Sequence, residues 1–192
     1  YLNHADAIKY AEASKNWRLP TMEELVYIYN YIEKTFHDDR YLFEMFVLES
    51  FHCGLSWLII LNKREAFKKA FDNFDPLLVR EYSEEKINEL VNNKDIVRHI
   101  GKIKAAIINA DSFIKVQKEF GSFDKYIWSF TDNKIIYNKD DKFATKNELS
   151  DRVSKDLKKR GFKFMGSVTA LSYLEAIGVL NNHSTSCFMH NG

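Results

Sequence analysis

A turn between two predicted helices brings together residue types that could bind phosphate. A short helix is predicted over 84–91 and a long one from Ile96, with the turn 92–95 between them. Backbone N–H groups at the start of a helix can bind an anion, and a glycine there lets another backbone approach closely. An ordinary pair of antiparallel helices explains the same pattern equally well. The candidate phosphate contacts at this helix start are Arg98, His99, Gly101 and Lys102.

The net charge of +1 hides an uneven distribution of charged residues. Residues 1–95 carry 12 basic and 17 acidic side chains, whereas residues 96–163 carry 16 basic and 9 acidic ones. A basic segment could line a nucleic-acid backbone, because binding releases condensed counterions. A solvated helix face is the more frequent explanation of a charge run, so charge alone is weak evidence for a nucleic-acid partner. The segment adds three candidate phosphate contacts, which are Lys159, Arg160 and Lys163.

Helices must position these residues, since the chain has 7 Gly, 2 Pro and many apolar residues at three- and four-residue spacing. Helices are predicted over 22–34, 40–52, 57–71, 84–91, 96–120, 123–130, 150–160 and 168–177, with a short one after Asp75-Pro76. Residues 131–148 are polar and are predicted to form a loop that could contain a hairpin. We therefore predict an all-α fold, with residues 1–36 as an N-terminal helical segment packed on a main domain of residues 37–192.

Composition and cysteine content exclude several classes of protein. The chain of 192 residues is 45% hydrophobic, which is too apolar for a disordered or collagen-like protein. Cys53 and Cys187 are too few for a disulfide-stapled secreted domain, so a reducing cytoplasm is expected. The most apolar stretch, residues 42–61, contains Glu49 and His52 and is predicted to be buried in the protein, not to span a membrane. We therefore expect a cytoplasmic monomer with no secretory signal and no membrane partner.

Several sequence blocks occur in an order that is typical of one protein family. They are Asp38-Asp39-Arg40-Tyr41-Leu42-Phe43-Glu44, Gly54-Leu55-Ser56-Trp57, Ile60-Leu61-Asn62-Lys63-Arg64-Glu65, Ile96-Val97-Arg98-His99, Leu157-Lys158-Lys159-Arg160-Gly161-Phe162-Lys163-Phe164 and Asn181-Asn182-His183 with Cys187. Over residues 37–187 the chain resembles the 3-methyladenine DNA glycosylase I family of base-excision repair enzymes. The resemblance implies a compact, two-lobed helix-hairpin-helix fold. It also implies hydrolysis of the N-glycosidic bond of 3-methyladenine in double-stranded DNA, which leaves an abasic site, so the phosphate contacts above become DNA contacts.

The resemblance places a base pocket around Glu49 and Trp57. A base must be flipped out of the duplex before an enzyme can reach its glycosidic bond. Trp57 offers a π face to a positively charged methyladenine, while the Glu49 carboxylate could hydrogen-bond the base and stabilise charge developing on the sugar. By resemblance Glu49 is the catalytic residue, and the base-binding residues are Trp57, Tyr27 and Ser172. Taken alone, Glu49 could be a partly exposed helix residue and Trp57 a core residue.

The chain departs from the family in the segment that supplies half of a zinc site. The family has an early Cys and a Tyr-His-Asp motif there, whereas this chain has no cysteine before Cys53 and has Ile28 in place of the histidine. His183 and Cys187 match the other half of the site. A structural zinc ion requires four nitrogen or sulfur ligands, and two remain. We therefore expect no required cofactor; if zinc binds, the implied metal ligands are His183 and Cys187.

Three functions are compatible with the sequence. The first is an active glycosylase that excises 3-methyladenine from DNA. The second is a catalytically weak or inactive relative that binds damaged DNA, because residues 1–36 do not match the family and one wall of the base pocket is altered. The third is a helical interaction protein that uses neither the pocket nor the basic segment. We prefer them in that order.

Overall fold

Helices make up almost all of the regular structure in the described part of the protein. The structure is a computed structural model that describes residues 37–139, 144–187 and 190. Its helices are α1 (Asp39–His52), α2 (Trp57–Asn62), α3 (Arg64–Ala70), α4 (Pro76–Val79), α5 (Glu84–Asn92), α6 (Ile100–Phe120), α7 (Phe123–Trp128), α8 (Glu148–Lys159) and α9 (Ser167–Ala176), with 3-10 turns at Asp72–Phe74 and Ser129–Thr131. This architecture confirms the predicted all-α class. The predicted N-terminal helical segment, residues 1–36, lies outside the described residues.

Helix α1 is the central element of the core. Ten consecutive residues, 42–51, are buried, so the helix is enclosed on all sides and does not show a single apolar stripe. It begins after Asp38, whose side chain accepts a backbone N–H of the first turn at 2.7 Å. Asp39 accepts the backbone N–H groups of Phe123 and Asp124 at 2.9 Å, which ties the start of α1 to α7. Despite its apolar sequence, α1 is too short to cross a bilayer, and none of the described helices is long and apolar enough to do so.

Aromatic rings pack around the middle of α1. The ring of Phe46 contacts Tyr173 of α9 and Phe162 of the loop after α8, with centroids 5.3 and 5.0 Å away. The ring of Phe43 contacts Phe113 of α6 at 5.1 Å. These contacts hold α6, α9 and the loop after α8 against the helix that carries Glu49.

Helix α6 is the second helix of the predicted helical hairpin, and it begins later than predicted. His99 is its N-cap and accepts the backbone N–H of Lys102 on Nδ1 at 3.2 Å, so the helix starts at Ile100 and not at Ile96. The helix ends at Gly121, which has φ +87° in the left-handed region, as predicted. Helix α5 packs against α6, which gives the two-helix arrangement expected from the sequence.

The predicted helix 57–71 is interrupted. Helices α2 and α3 meet at Lys63, where φ is −104° and ψ is 0°. The ammonium group of Lys63 donates hydrogen bonds to the carbonyl oxygens of Lys94 and Asp95 at 3.2 and 3.0 Å. The Lys63 side chain therefore anchors the turn between α5 and α6. Hydrophobic periodicity does not indicate such a polar contact.

A two-residue strand follows α7 and pairs with a distant segment. Strand β1 (Ile136–Tyr137) runs parallel to β2 (Leu180–Asn181), with Ile136 opposite Leu180. Parallel strands cannot be joined by a tight turn, so this pairing requires a segment far away in the sequence. The hairpin suggested for residues 131–148 is therefore not found in the described residues.

Candidate active site

Glu49 lies near the end of α1 and is almost completely buried. Its exposed fraction is 3%, which excludes the partly exposed helix residue considered above. Burial, with a smaller contribution from the carboxylate of Glu175, raises the pKa of Glu49 from 4.5 to about 8. The Glu49 carboxyl is therefore mainly neutral at pH 7. A cation that binds beside it would favour loss of its proton.

His52 lies one helical turn after Glu49 and contacts both Glu49 and Trp57. Its Nδ1 atom is 3.4 Å from Oε2 of Glu49, and its ring centroid is 5.3 Å from that of Trp57 in an edge-to-face arrangement. Burial, together with the charge of Lys102, lowers the pKa of His52. The imidazole is therefore mainly neutral at pH 7. His52 was not predicted as a site residue, although its i, i+3 spacing from Glu49 was visible in the sequence.

Trp57 begins α2 directly after the turn that follows α1. Gly54 lies in that turn with φ +79°, a conformation that favours glycine. The indole is half-buried and packs against the hydrophobic core, so part of the ring stays accessible. Glu49 and Trp57, predicted to share a pocket, are thus brought to one site with His52 between them.

Helix α9 forms a wall beside the end of α1. The hydroxyl group of Thr169 is 3.1 Å from the Sγ atom of Cys53, the residue after α1. Glu175, six residues further along α9, accepts a hydrogen bond from Asn182 at 2.8 Å, and burial raises its pKa. Ser172 lies between Thr169 and Glu175, about one turn from each, and is partly exposed. This position keeps Ser172 as a candidate for base binding.

Lys102, a predicted DNA contact, is buried and hydrogen-bonded within the protein. Its exposed fraction is 5%, and its ammonium group donates hydrogen bonds to the carbonyl oxygens of Phe51 and Cys53 at 2.9 and 2.6 Å. Carbonyl groups at the end of a helix have no partner within that helix, so a buried cation satisfies them well. Lys102 therefore fixes the end of α1 and the turn that leads to Trp57.

The start of α6 keeps two exposed candidates for phosphate binding, Arg98 and His99. Gly101 also has a role within the protein. A Cβ atom at position 101 would lie 3.1 Å from Cε1 of His99, so the glycine makes room for the His99 ring that caps α6. Close approach of a DNA backbone at Gly101 stays a prediction.

Arg160, also a predicted DNA contact, forms ion pairs within the protein. Its guanidinium group pairs with Glu119 at 2.7 Å and with Asp156 at 2.6 Å. The same group lies 5.0 Å from the ring centroids of Phe120 and Tyr126. Two carboxylates already balance its charge, and it links α8 to the end of α6. Lys159 and Lys163 are exposed and remain predicted DNA contacts.

The remaining half of the family zinc site is partly assembled. The Sγ atom of Cys187 lies 3.6 Å from Nδ1 of His183, so the two side chains are close enough to share one metal ion. In the described part of the chain, no group of three or more His, Cys, Asp or Glu side chains could hold a metal. The described residues therefore do not form a zinc site by themselves. Tyr27, the predicted base-binding aromatic residue, lies outside the described residues.

Comparison with known proteins gives consistent sequence matches. A profile of the methyladenine glycosylase family matches residues 27–190. DNA-3-methyladenine glycosylase 1 of Escherichia coli (strain K12) is 37% identical over 158 residues, which cover 81% of this chain and 84% of that protein. The DNA-3-methyladenine glycosylase of Haemophilus influenzae is 35% identical over 153 residues, which cover 78% of this chain and 83% of that protein.

Solved structures share the fold as well as the sequence pattern. A crystal structure of 3-methyladenine DNA glycosylase I (TAG) matches with a TM-score of 0.76 and 41% identity, covering 80% of this chain and 86% of that chain. A structure of the Staphylococcus aureus enzyme, solved to explain 3-methyladenine recognition, matches with a TM-score of 0.75 and 38% identity over 80% of this chain and 84% of that chain. The sequence, the helical fold and the buried carboxyl beside an indole agree: this chain belongs to the methyladenine glycosylase family.

Proposed function

We infer that this protein is a DNA-3-methyladenine glycosylase, which removes the alkylated base from double-stranded DNA and leaves an abasic site. Its family and its relatives named DNA-3-methyladenine glycosylase support this function. The structural observation that carries it is the buried Glu49 carboxyl, in contact with His52 and on the same site as Trp57. A buried carboxyl beside an accessible indole is suited to a flat organic cation.

Recognition would depend on the positive charge of the alkylated base. The face of Trp57 attracts a cation, and a cation close to Glu49 would lower the pKa of that carboxyl from its value of about 8. Binding would therefore ionise Glu49 and form a buried ion pair with the base. Neutral adenine cannot form this pair: the carboxyl would stay protonated, and the attraction that holds the cationic base would be missing. The same two residues thus bind the damaged base and reject the normal one.

Bond cleavage would then require little acid–base catalysis. The C1′–N9 bond breaks with its electron pair moving to the base, which leaves as neutral 3-methyladenine. Positive charge develops on the sugar, where the Glu49 carboxylate would stabilise it, and water adds to C1′ and loses a proton. Because the cationic base is already a good leaving group, correct positioning supplies much of the acceleration.

The helical hairpin would hold the DNA backbone. We propose phosphate contacts by Arg98 and His99 at the start of α6, and by Lys159 and Lys163. Each Lys or Arg that neutralises a phosphate makes binding more sensitive to salt.

We also propose that the protein acts as a monomer in the cytoplasm, with genomic DNA as its substrate. Light scattering of the purified protein measures the oligomeric state directly.

Release of 3-methyladenine from alkylated DNA tests the proposed activity. The wild-type protein should release the base, as detected by chromatography, and the E49Q variant should lose most of this activity. Glu89→Gln is the matched control, because Glu89 is an exposed acidic side chain that pairs with Lys86 on α5. Salt-dependent DNA binding without base release would instead identify a catalytically inactive relative. If the protein neither binds the DNA nor releases the base, both functions are disproved.

A further inference from the structure

Phe164 combines a strained backbone with an exposed aromatic ring. Six described non-glycine residues have a positive φ, and four of them are Asp or Asn, which tolerate that conformation. The other two are Phe74 and Phe164, with φ of +54° and +57°. Phe74 is fully buried, so packing of its ring compensates for the strain, whereas Phe164 is 41% exposed. Core packing therefore does not explain why a phenylalanine occupies position 164.

Side chains on two helices impose this conformation. Asn109 of α6 is fully buried and binds Lys163 twice: it donates to the carbonyl oxygen at 3.2 Å and accepts the backbone N–H at 2.7 Å. Ser154 of α8 donates to the carbonyl oxygen of Met165 at 2.7 Å. The residues on both sides of Phe164 are thus fixed by buried side chains. A strained residue that the surrounding structure holds in place is typical of functional sites.

The ring lies where the base pocket and the helical hairpin meet. The carbonyl oxygen of Phe164 is 3.8 Å from the Sγ atom of Cys53, the residue that follows His52. On the other side, the Phe164 ring is edge-on to the ring of His99 at 6.4 Å. His99 caps α6, and His52 contacts the Glu49 carboxyl. A nucleotide whose base reaches Glu49 while its phosphates contact Arg98 and His99 would lie beside Phe164.

We propose that Phe164 contacts the DNA beside the flipped nucleotide, with its ring packed against an unstacked nucleoside. This inference rests on the proposed glycosylase function. An exposed aromatic ring binds any base through its π face, and the neighbouring Lys163 is exposed for a phosphate contact. Glycine would fit φ +57° with less strain, so this backbone conformation does not itself require a phenylalanine. The ring would hold the lesion open without touching the damaged base.

The Phe164→Gly variant distinguishes a role of the ring in DNA binding from a role in stability. In Phe164→Gly the backbone strain is relieved, so the midpoint of thermal unfolding should stay the same or rise. Affinity for a duplex with an abasic-site analogue, measured by fluorescence anisotropy, should fall by about tenfold, as expected for one lost aromatic–base stack. Binding of free 3-methyladenine should not change. Phe164→Tyr keeps the ring and should bind the duplex like the wild type.

A second exposed apolar residue provides the control. Ile135 is 44% exposed and precedes β1, so Ile135→Gly removes a similarly exposed side chain elsewhere and should leave duplex binding unchanged. Wild-type duplex affinity in Phe164→Gly would overturn the proposal. A lower unfolding midpoint with equal losses of duplex and free-base binding would also overturn it, because the ring would then be structural. Failure of the wild-type protein to release 3-methyladenine would refute only the proposed activity, since the duplex-binding comparison would still test Phe164.

Discussion

The Nδ1 atom of His52 lies 3.4 Å from Oε2 of Glu49, one turn apart on the same buried helix. The pKa of Glu49 is raised and that of His52 is lowered, so both groups are mainly neutral at pH 7. The protonated carboxyl can then donate a hydrogen bond to the imidazole. Glu49 and His52 thus form a neutral pair, and binding of a cationic base would convert it into a pair of the Glu49 carboxylate and the cation.

Replacement of His52 by phenylalanine should slow base release without unfolding the protein. The variant keeps an aromatic ring beside Trp57 but removes the polar partner of Glu49. Loss of one hydrogen bond of about 1 kcal/mol predicts a reduction in kcat/KM of roughly fivefold to tenfold. His52→Gln, which can still hydrogen-bond the carboxyl, should recover part of the loss. Equal rates in His52→Phe and the wild type across pH 6–9 would show that His52 does not position Glu49.

The buried Glu49 carboxyl should make the fold less stable as pH rises. Its pKa is 4.5 in the reference state and about 8 in the folded protein, so the folded state holds more protons between these values. The free energy of unfolding should therefore be highest below pH 4.5 for this group and decrease as pH rises towards 8. Glu49→Gln cannot titrate and should flatten that part of the curve. Urea unfolding at several pH values, with Glu89→Gln as the control, measures the difference; parallel curves for wild type and Glu49→Gln would contradict it.

Lys102→Met should destabilise the protein more than substitution of an exposed lysine. It leaves the carbonyl oxygens of Phe51 and Cys53 without their ammonium donor, at a cost of about 2–3 kcal/mol in the free energy of unfolding. Lys104→Met is the matched control on the same helix, because Lys104 is exposed and pairs with Glu84 at the surface. Its cost should be below about 1 kcal/mol. Similar losses in chemical denaturation of both variants would argue against the anchoring role of Lys102.

Lys159→Met should weaken DNA binding without lowering stability. An exposed lysine that contacts one phosphate contributes to the salt dependence of affinity, so its loss should reduce the slope of log affinity against log salt by roughly one. Titrations of a lesion-containing duplex at several salt concentrations measure this slope. Lys115→Met serves as a control, since Lys115 pairs with Asp111 within α6. An unchanged slope in Lys159→Met would remove this residue from the DNA interface.

The purified protein should contain no stoichiometric zinc. His183 and Cys187 provide two of the four ligands that a structural zinc ion needs, and the described residues offer no group of three. Elemental analysis should therefore find well below one zinc ion per chain. A chelator should leave the midpoint of thermal unfolding unchanged. One tightly bound zinc ion, or a lower midpoint with chelator, would show that other residues complete the site.

Local sequence signals predicted the helices well, because their ends depend on neighbouring residues. Asp75, Ser83 and Ser122 each cap the helix expected after them, and Gly121 ends α6. The resemblance to the 3-methyladenine DNA glycosylase I family located Glu49 and Trp57, on either side of a glycine turn, and the structure brings both to one site. Both residues lie within one segment of nine residues, from Glu49 to Trp57.

Side chains whose partners are distant in sequence could not be predicted in the same way. Lys102 and Arg160 have the residue type expected of DNA contacts, but their partners, Cys53 and Glu119, lie 49 and 41 residues away. Composition and periodicity do not reveal whether a cation is buried or already paired. The parallel pairing of β1 with β2 was missed for the same reason, since it joins segments that only the folded chain brings together.

The hydrogen bonds of Lys102 link the start of α6 to the end of α1. Lys102 lies in the first turn of α6, three residues after His99, and its ammonium group holds the last carbonyl groups of the pocket helix. The Lys102 side chain therefore connects the site proposed to bind phosphates with the site proposed to bind the base. The distance between the two sites therefore depends on how these two helices pack, and a base must leave the duplex to reach Glu49.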